Sequence, residues 1–220
     1  MFLLSRPDAG AIERFVRESE DLPLSYAPIG LVEAPTRRHS VDEVVIAIGR
    51  GTLDFDRARA ALAAWKHFEL GWVELAPRHA APDPGTTVAV LIRHLGFWSL
   101  NGARVVYTVG DGDATRFGFA CGTLANHAES GEELFEVFRN RETDEVCYRI
   151  RAVSSPRAVL ARLAYPITRM LQARFRRDSA RAMQRALARA RTVDINLPVD
   201  EAGVIRQRGS HAGRPPASSP

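Results

Sequence analysis

Lysine is almost missing from this chain. Lys66 is the only one in 220 residues, and the other 29 of the 30 basic residues are arginine. Cysteine is nearly as scarce. Cys121 and Cys147 are too few for a disulfide scaffold, and both fall in segments read as strands, so they are expected to be small buried hydrophobes with reduced thiols. No Cys/His cluster has ligand spacing, so no metal is expected. Apolar runs are short, and none approaches the roughly 20 residues of a membrane span. The opening Met1-Phe2-Leu3-Leu4 falls short of the about 7–15 apolar residues of a secretory signal, so a cytoplasmic location is expected. Sixteen glycines and thirteen prolines are too few for a collagenous or wholly disordered chain. No nucleophile elbow, Ser-His-Asp arrangement, phosphate-cradling loop or dinucleotide fingerprint occurs. No catalytic residue and no cofactor is therefore assigned.

What is present is an ordinary globular composition, 45% hydrophobic and 25% charged. Its charge is uneven. Arg157 to Arg191 holds ten arginines against one acid, Asp178; that segment is +9, and since the whole chain is +4 the remainder is −5. The segment reads as the solvated face of a helix, or as a contact for an anionic membrane or RNA surface. Without interleaved aromatics or a recognised module, sequence-specific nucleic-acid binding is not expected.

The chain divides into an N-terminal extension over 1–38, a main domain over 39–195 and a Pro/Gly/Ser/Arg-rich tail over 196–220, expected to be disordered. In the extension, Ile12, Phe15, Val16 and Ser19 follow a helical period behind a capping Asp8. The main domain opens with a strand over Val44–Ile48 and a helix that puts Phe55, Ala58, Leu62 and Trp65 on one face. Six further β segments follow, linked by short turns, which favours an antiparallel meander. In the fifth segment of the whole set, Gly118, Ala120 and Gly122 alternate with Phe117, Phe119, Cys121 and Thr123. In the last, Val146, Tyr148 and Ile150 share one face while Arg149 and Arg151 share the other. A long helix closes the domain. It is expected to start at Ser155-Pro156, to be kinked or interrupted at Pro166, and to carry an apolar stripe of Leu160, Leu163, Ile167, Leu171, Phe175, Met183 and Leu187.

This order of elements is similar to the helix-grip fold of the START-like superfamily, an α+β architecture in which a curved antiparallel sheet of about seven strands wraps a long C-terminal helix. Several segments also resemble the DUF1990 family, known from bacteria and plants and named for its unknown function. They are Leu70-Gly71-Trp72-Val73, Val88 through Gly96, Phe117 through Leu124, His127, Gly131-Glu132-Glu133 and the Tyr165-Pro166 helix. The resemblance runs from about residue 10 to residue 190. Where the family carries Tyr-Gly-Thr, this chain has Cys121-Gly122-Thr123.

The superfamily resemblance implies a cavity between sheet and helix that takes a small hydrophobic or amphipathic molecule. Six residues are the expected lining. Arg93, His94 and Trp98 would bring a cation, an imidazole and an indole to the cavity mouth, and Tyr107, Phe119 and Tyr148 would face inward by strand alternation. His127, with Glu129, Glu132 and Glu133 nearby, is a further acid–base candidate. A cyclase- or hydrolase-like enzyme using the same cavity is the second reading, with His94 and the two tyrosines as its available polar groups. Docking of the Arg-rich helix on an anionic surface is the third.

Overall fold

The structure is a computed structural model describing residues 2–36, 39–94, 96–110, 112–155 and 165–195. The elements run β1 (Phe2–Leu3), α1 (Ala9–Glu20), β2 (Ser40–Arg50), α2 (Gly51–Ala63), β3 (Val73–Ala76), β4 (Thr87–Arg93), β5 (Trp98–Val109), β6 (Arg116–Thr123), β7 (Ser130–Arg139), β8 (Glu145–Ser155) and α3 (Tyr165–Ile195). Seven strands form one antiparallel sheet in the order β2-β8-β7-β6-β5-β4-β3, and β1 pairs with the start of β5. From β3 to β8 each strand pairs with its sequence neighbour, the meander that short turns favour. β2 closes the far edge by pairing along the whole of β8. The curled sheet and the long C-terminal helix make this a helix-grip fold, as the order of elements implied. The proposed helix start at Ser155-Pro156, with Leu160 and Leu163, lies largely outside the described residues, as does the tail. Pro166 falls in the first turn of the described part of α3.

Both faces of the sheet are covered. On the outer face, α1 is capped by Asp8, whose carboxylate accepts the Ala11 N–H at 2.7 Å. It lays Ile12 and Phe15 on Ala89, Leu91 and Leu100. The next stretch of the extension buries Leu31 and Val32 against Ala120, Leu134 and Val153. The small residues of β6 permit this close approach. A side chain at Gly122 would stand 2.5 Å from the Tyr26 hydroxyl.

The inner face holds the main core. Phe55, Ala58 and Leu62 of α2 and Ala180, Met183 and Leu187 of α3 meet Phe119, Phe135, Val137, Val146, Tyr148 and Ile150 of the sheet. After α2 the chain turns sharply. Trp65 takes a left-handed conformation (φ 55°), unusual for a bulky side chain. Burial of the indole and its N–H bond to the Ala80 carbonyl, 2.8 Å, hold it there. The single 3₁₀ turn that follows, Lys66–Phe68, drives His67 and Phe68 into the core.

Candidate functional site

α3 crosses two different kinds of interior. Its second half, from Ser179 to Leu187, presses on a solid core in which the Tyr148 hydroxyl and Ser179 Oγ bond at 2.8 Å. At that end His67 is fully buried among the rings of Trp65, Phe68, Phe119, Phe135 and Tyr148, and neither ring nitrogen has a hydrogen-bond partner. Burial pulls its pKa down to about 3, so the imidazole is neutral at any physiological pH.

The first half of α3 instead spans a cavity of about 690 Å³. Pockets that take small molecules run from about 300 to 1,000 Å³, so the space is ample for one. Most of its wall is carbon, including Trp72, Val90, Ile92, Phe135, Leu171 and Phe175. Three strand patterns build this wall: Val88, Val90 and Ile92 of β4, Ser99, Asn101 and Ala103 of β5, and Cys121 and Thr123 of β6.

Polar groups gather in two places. At one, His94 Nε2 and Ser99 Oγ bond at 2.9 Å, and the Asn101 amide donates to the same Ser99 oxygen at 3.0 Å. His94 also stacks on Phe97, with centroids 4.5 Å apart, and burial lowers its pKa. At the other, α3 faces β2 and β7. Asp42 takes a bidentate contact from Arg169 and a second cation, Arg176, at 3.2 Å, which hold its carboxyl below the usual range. The Gln172 amide donates to Glu129 at 2.9 Å.

Glu133 stands beside them in a different condition. It lines the cavity, and no described residue hydrogen-bonds or ion-pairs with its carboxylate. Enclosure by protein, with Glu129 near, raises its pKa to about 8 despite the opposing pull of Arg176. Directly opposite it on β6 is Cys121, whose thiol burial pushes up and so keeps protonated.

Of the six residues expected to line the cavity, only His94 does. Arg93 projects from the outer side of β4 with its side chain exposed, and Trp98 packs on the outer cluster under α1. Tyr107 also lies outside, because a bulge between Val105 and Tyr107 shifts the register of β5 and sends the ring to the other face. Its hydroxyl donates to Glu132 at 2.8 Å. Phe119 and Tyr148 do face inward, but into the solid end. His127 does line the cavity, and its Nδ1 accepts the Glu129 N–H at 3.0 Å. Glu133 is thus the most consequential residue of the site. Its one sequence signal is a carboxylate in phase with Phe135 and Val137.

A curled sheet gripping a helix, with a largely apolar cavity between them, defines a helix-grip protein. Among the described residues no helix is long and apolar enough to cross a membrane. The chain belongs to the DUF1990 family, a domain of unknown function whose profile matches residues 25–182. It is 33% identical to a UPF0548 protein of Dictyostelium discoideum, over 85% of this chain and 96% of that one. A UPF0548 protein of Deinococcus radiodurans is 34% identical over 84% and 98%, so relatives occur in eukaryotes and bacteria alike. Among solved structures it is similar to the Zhui aromatase/cyclase from a Streptomyces species, with a TM-score of 0.49 at 10% identity over 69% of this chain and 94% of that one. A norcoclaurine synthase from Thalictrum matches with a TM-score of 0.48 at 10% identity over 70% and 96%.

Proposed function

We propose that this protein binds a small hydrophobic or amphipathic molecule between its sheet and α3. The observation that carries the reading is the 690 Å³ cavity, walled mostly by carbon and furnished with few polar groups. Burial of apolar ligand surface would supply affinity at about 25 cal/mol per Å² before ordering costs. Binding, rather than docking of the Arg-rich helix on an anionic surface, fits where the arginines go. Arg169 and Arg176, the two arginines that line the cavity, are held by Asp42, and Arg191 is held by Asp54.

The test is native mass spectrometry of the freshly purified full-length chain, with Ile92→Trp to fill the cavity. A co-purifying mass that the variant lacks is the expected result. No adduct, together with no thermal stabilisation by a panel of apolar and amphipathic compounds, overturns the reading.

One observation favours a second reading, a cyclase- or hydrolase-like reaction in the same chamber. Glu133 has a pKa of about 8, close to what a general acid or base needs at neutral pH. Recovery of the bound molecule chemically unchanged after long incubation would exclude it.

A further inference from the structure

We propose that the molecule held in the cavity carries a positively charged amine, which pairs with the Glu133 carboxylate at the β7–α3 end of the chamber. The proposal rests on the binding reading above and narrows it to cationic amphiphiles.

The geometry singles out one acid. Asp42 is occupied by Arg169 and Arg176, and Glu129 accepts the Gln172 amide. Glu133 has no ion pair and no hydrogen-bond donor among the described residues, Arg176 acting on it only at longer range, and its cross-strand neighbours Cys121 and Ala152 offer nothing stronger than a thiol. Glu133 is only partly exposed, and a carboxylate held back from bulk water without a partner is costly. The cavity beside it has room for such a partner, and its carbon wall suits an apolar body attached to the charge.

Charge bookkeeping gives the sign. Glu133 is faced by Glu129 from the loop before β7, Asp42 from β2, Cys121 from β6, Tyr148 from β8 and Arg176 from α3. Arg169 of α3 neutralises Asp42, and His127 stands in the same loop as Glu129. With its carboxyls ionised, the set of Asp42, Glu129 and Glu133 against Arg169 and Arg176 is one negative charge in excess. A monovalent cation balances that set, and an anion doubles the imbalance. In the protein alone the conflict is met by protonation, since the Glu133 pKa of about 8 keeps the carboxyl neutral at pH 7. An ammonium entering the site displaces that proton to solvent.

The experiment is isothermal titration of the full-length chain with dodecylamine, dodecanol and dodecanoate, which share one hydrocarbon body and differ in head-group charge. The amine should bind at least about ten-fold tighter than the alcohol at about pH 9, where both partners are charged. Its affinity should rise about ten-fold from pH 6 to pH 7 and level off above pH 8. At pH 7 binding should release close to one proton, read from the dependence of the heat on buffer ionisation. Glu133→Gln should abolish the amine preference, the pH dependence and the proton release. The proton release is measured on the unaltered protein, so the test stands even if the variant does not fold. Dodecanoate binding tighter than the amine, or an amine preference that survives Glu133→Gln, overturns the proposal. Alcohol binding with no preference for the amine overturns this inference alone. Failure of all three compounds overturns the binding reading with it.

Discussion

Glu132 and Glu133 are adjacent on β7 and meet opposite surroundings. Glu132 points to the outer face, is 2% exposed, and accepts four hydrogen bonds: from the Tyr26 and Tyr107 hydroxyls at 2.7 and 2.8 Å, and from the Gly30 and Val32 N–H groups at 2.9 and 3.2 Å. Glu133 points to the inner face and has no such donor. The first fastens the N-terminal extension to the sheet; the second contributes nothing comparable to folding. Identical chemistry one residue apart therefore serves architecture on one face and is left without a hydrogen-bond partner on the other.

The largest effect should follow from breaking the satisfied side. Glu132→Ala leaves two half-buried phenols and two backbone N–H groups without their acceptor and should cost about 3 kcal/mol, since hydrogen bonds to charged groups are each worth about 1.5–3 kcal/mol and are not additive. Glu133→Ala at pH 7 should instead raise stability by about 1 kcal/mol, because it removes an unpartnered carboxyl whose ionisation folding opposes, less the packing lost with the side chain. Urea denaturation of the two variants makes the measurement. Equal losses would show that the inner carboxyl is structural after all.

Titration sharpens the contrast, because His67 and Glu133 on the inner face have shifts with opposite consequences. His67 has a folded pKa of about 3, below its unfolded value of about 6.5. The unfolded chain binds the extra proton between those values, so stability falls as pH drops, by about 2 kcal/mol at pH 5. Glu133 has a folded pKa of about 8, above its unfolded value near 4.5. Here the folded chain binds the extra proton, so stability is full below the unfolded pKa and declines as pH rises from about 4.5 toward 8. The decline should be roughly 2 kcal/mol once water in the cavity is allowed to screen the charge. His67→Phe should flatten the acid limb and Glu133→Gln the neutral limb of a stability–pH curve. A curve unchanged by either variant would mean that solvent reaches the group freely.

The architecture was legible in the sequence because it depends on the order and spacing of elements. Phe55, Ala58, Leu62 and Trp65 are spaced for one helical face, and all four are buried. Val146, Tyr148 and Ile150 alternate inward as their pattern requires. The lining was far less legible, for two physical reasons. β4 reads Val88-Ala89-Val90-Leu91-Ile92 with apolar residues at both parities, because α1 covers its outer face while the core and cavity lie on the inner. Alternation then carries no direction, and only the folded sheet places Arg93 and Trp98 on the outer side. Tyr107 was misdirected by a bulge, which leaves no mark in composition. β7 offered glutamates at both parities, so only the register of the folded sheet separates Glu133 from Glu132.

The smallest effects test the same two-sidedness on β4. Ile92 lines the cavity and Arg93, its neighbour, points outward with an exposed side chain. In a filled core, an Ile-to-Trp change costs about 1–3 kcal/mol through overpacking. Beside a 690 Å³ cavity the indole has space to enter, so Ile92→Trp should alter stability by less than about 1 kcal/mol. It should nevertheless weaken binding of an uncharged probe such as Nile red by about ten-fold, because the volume it occupies is the probe's. Arg93→Trp places the same ring on the outer face and should leave the affinity within about two-fold, the range expected when no shared contact is touched. Fluorescence titration of the two variants reads both numbers, and equal weakening by Arg93→Trp would mean that the probe sits outside the chamber.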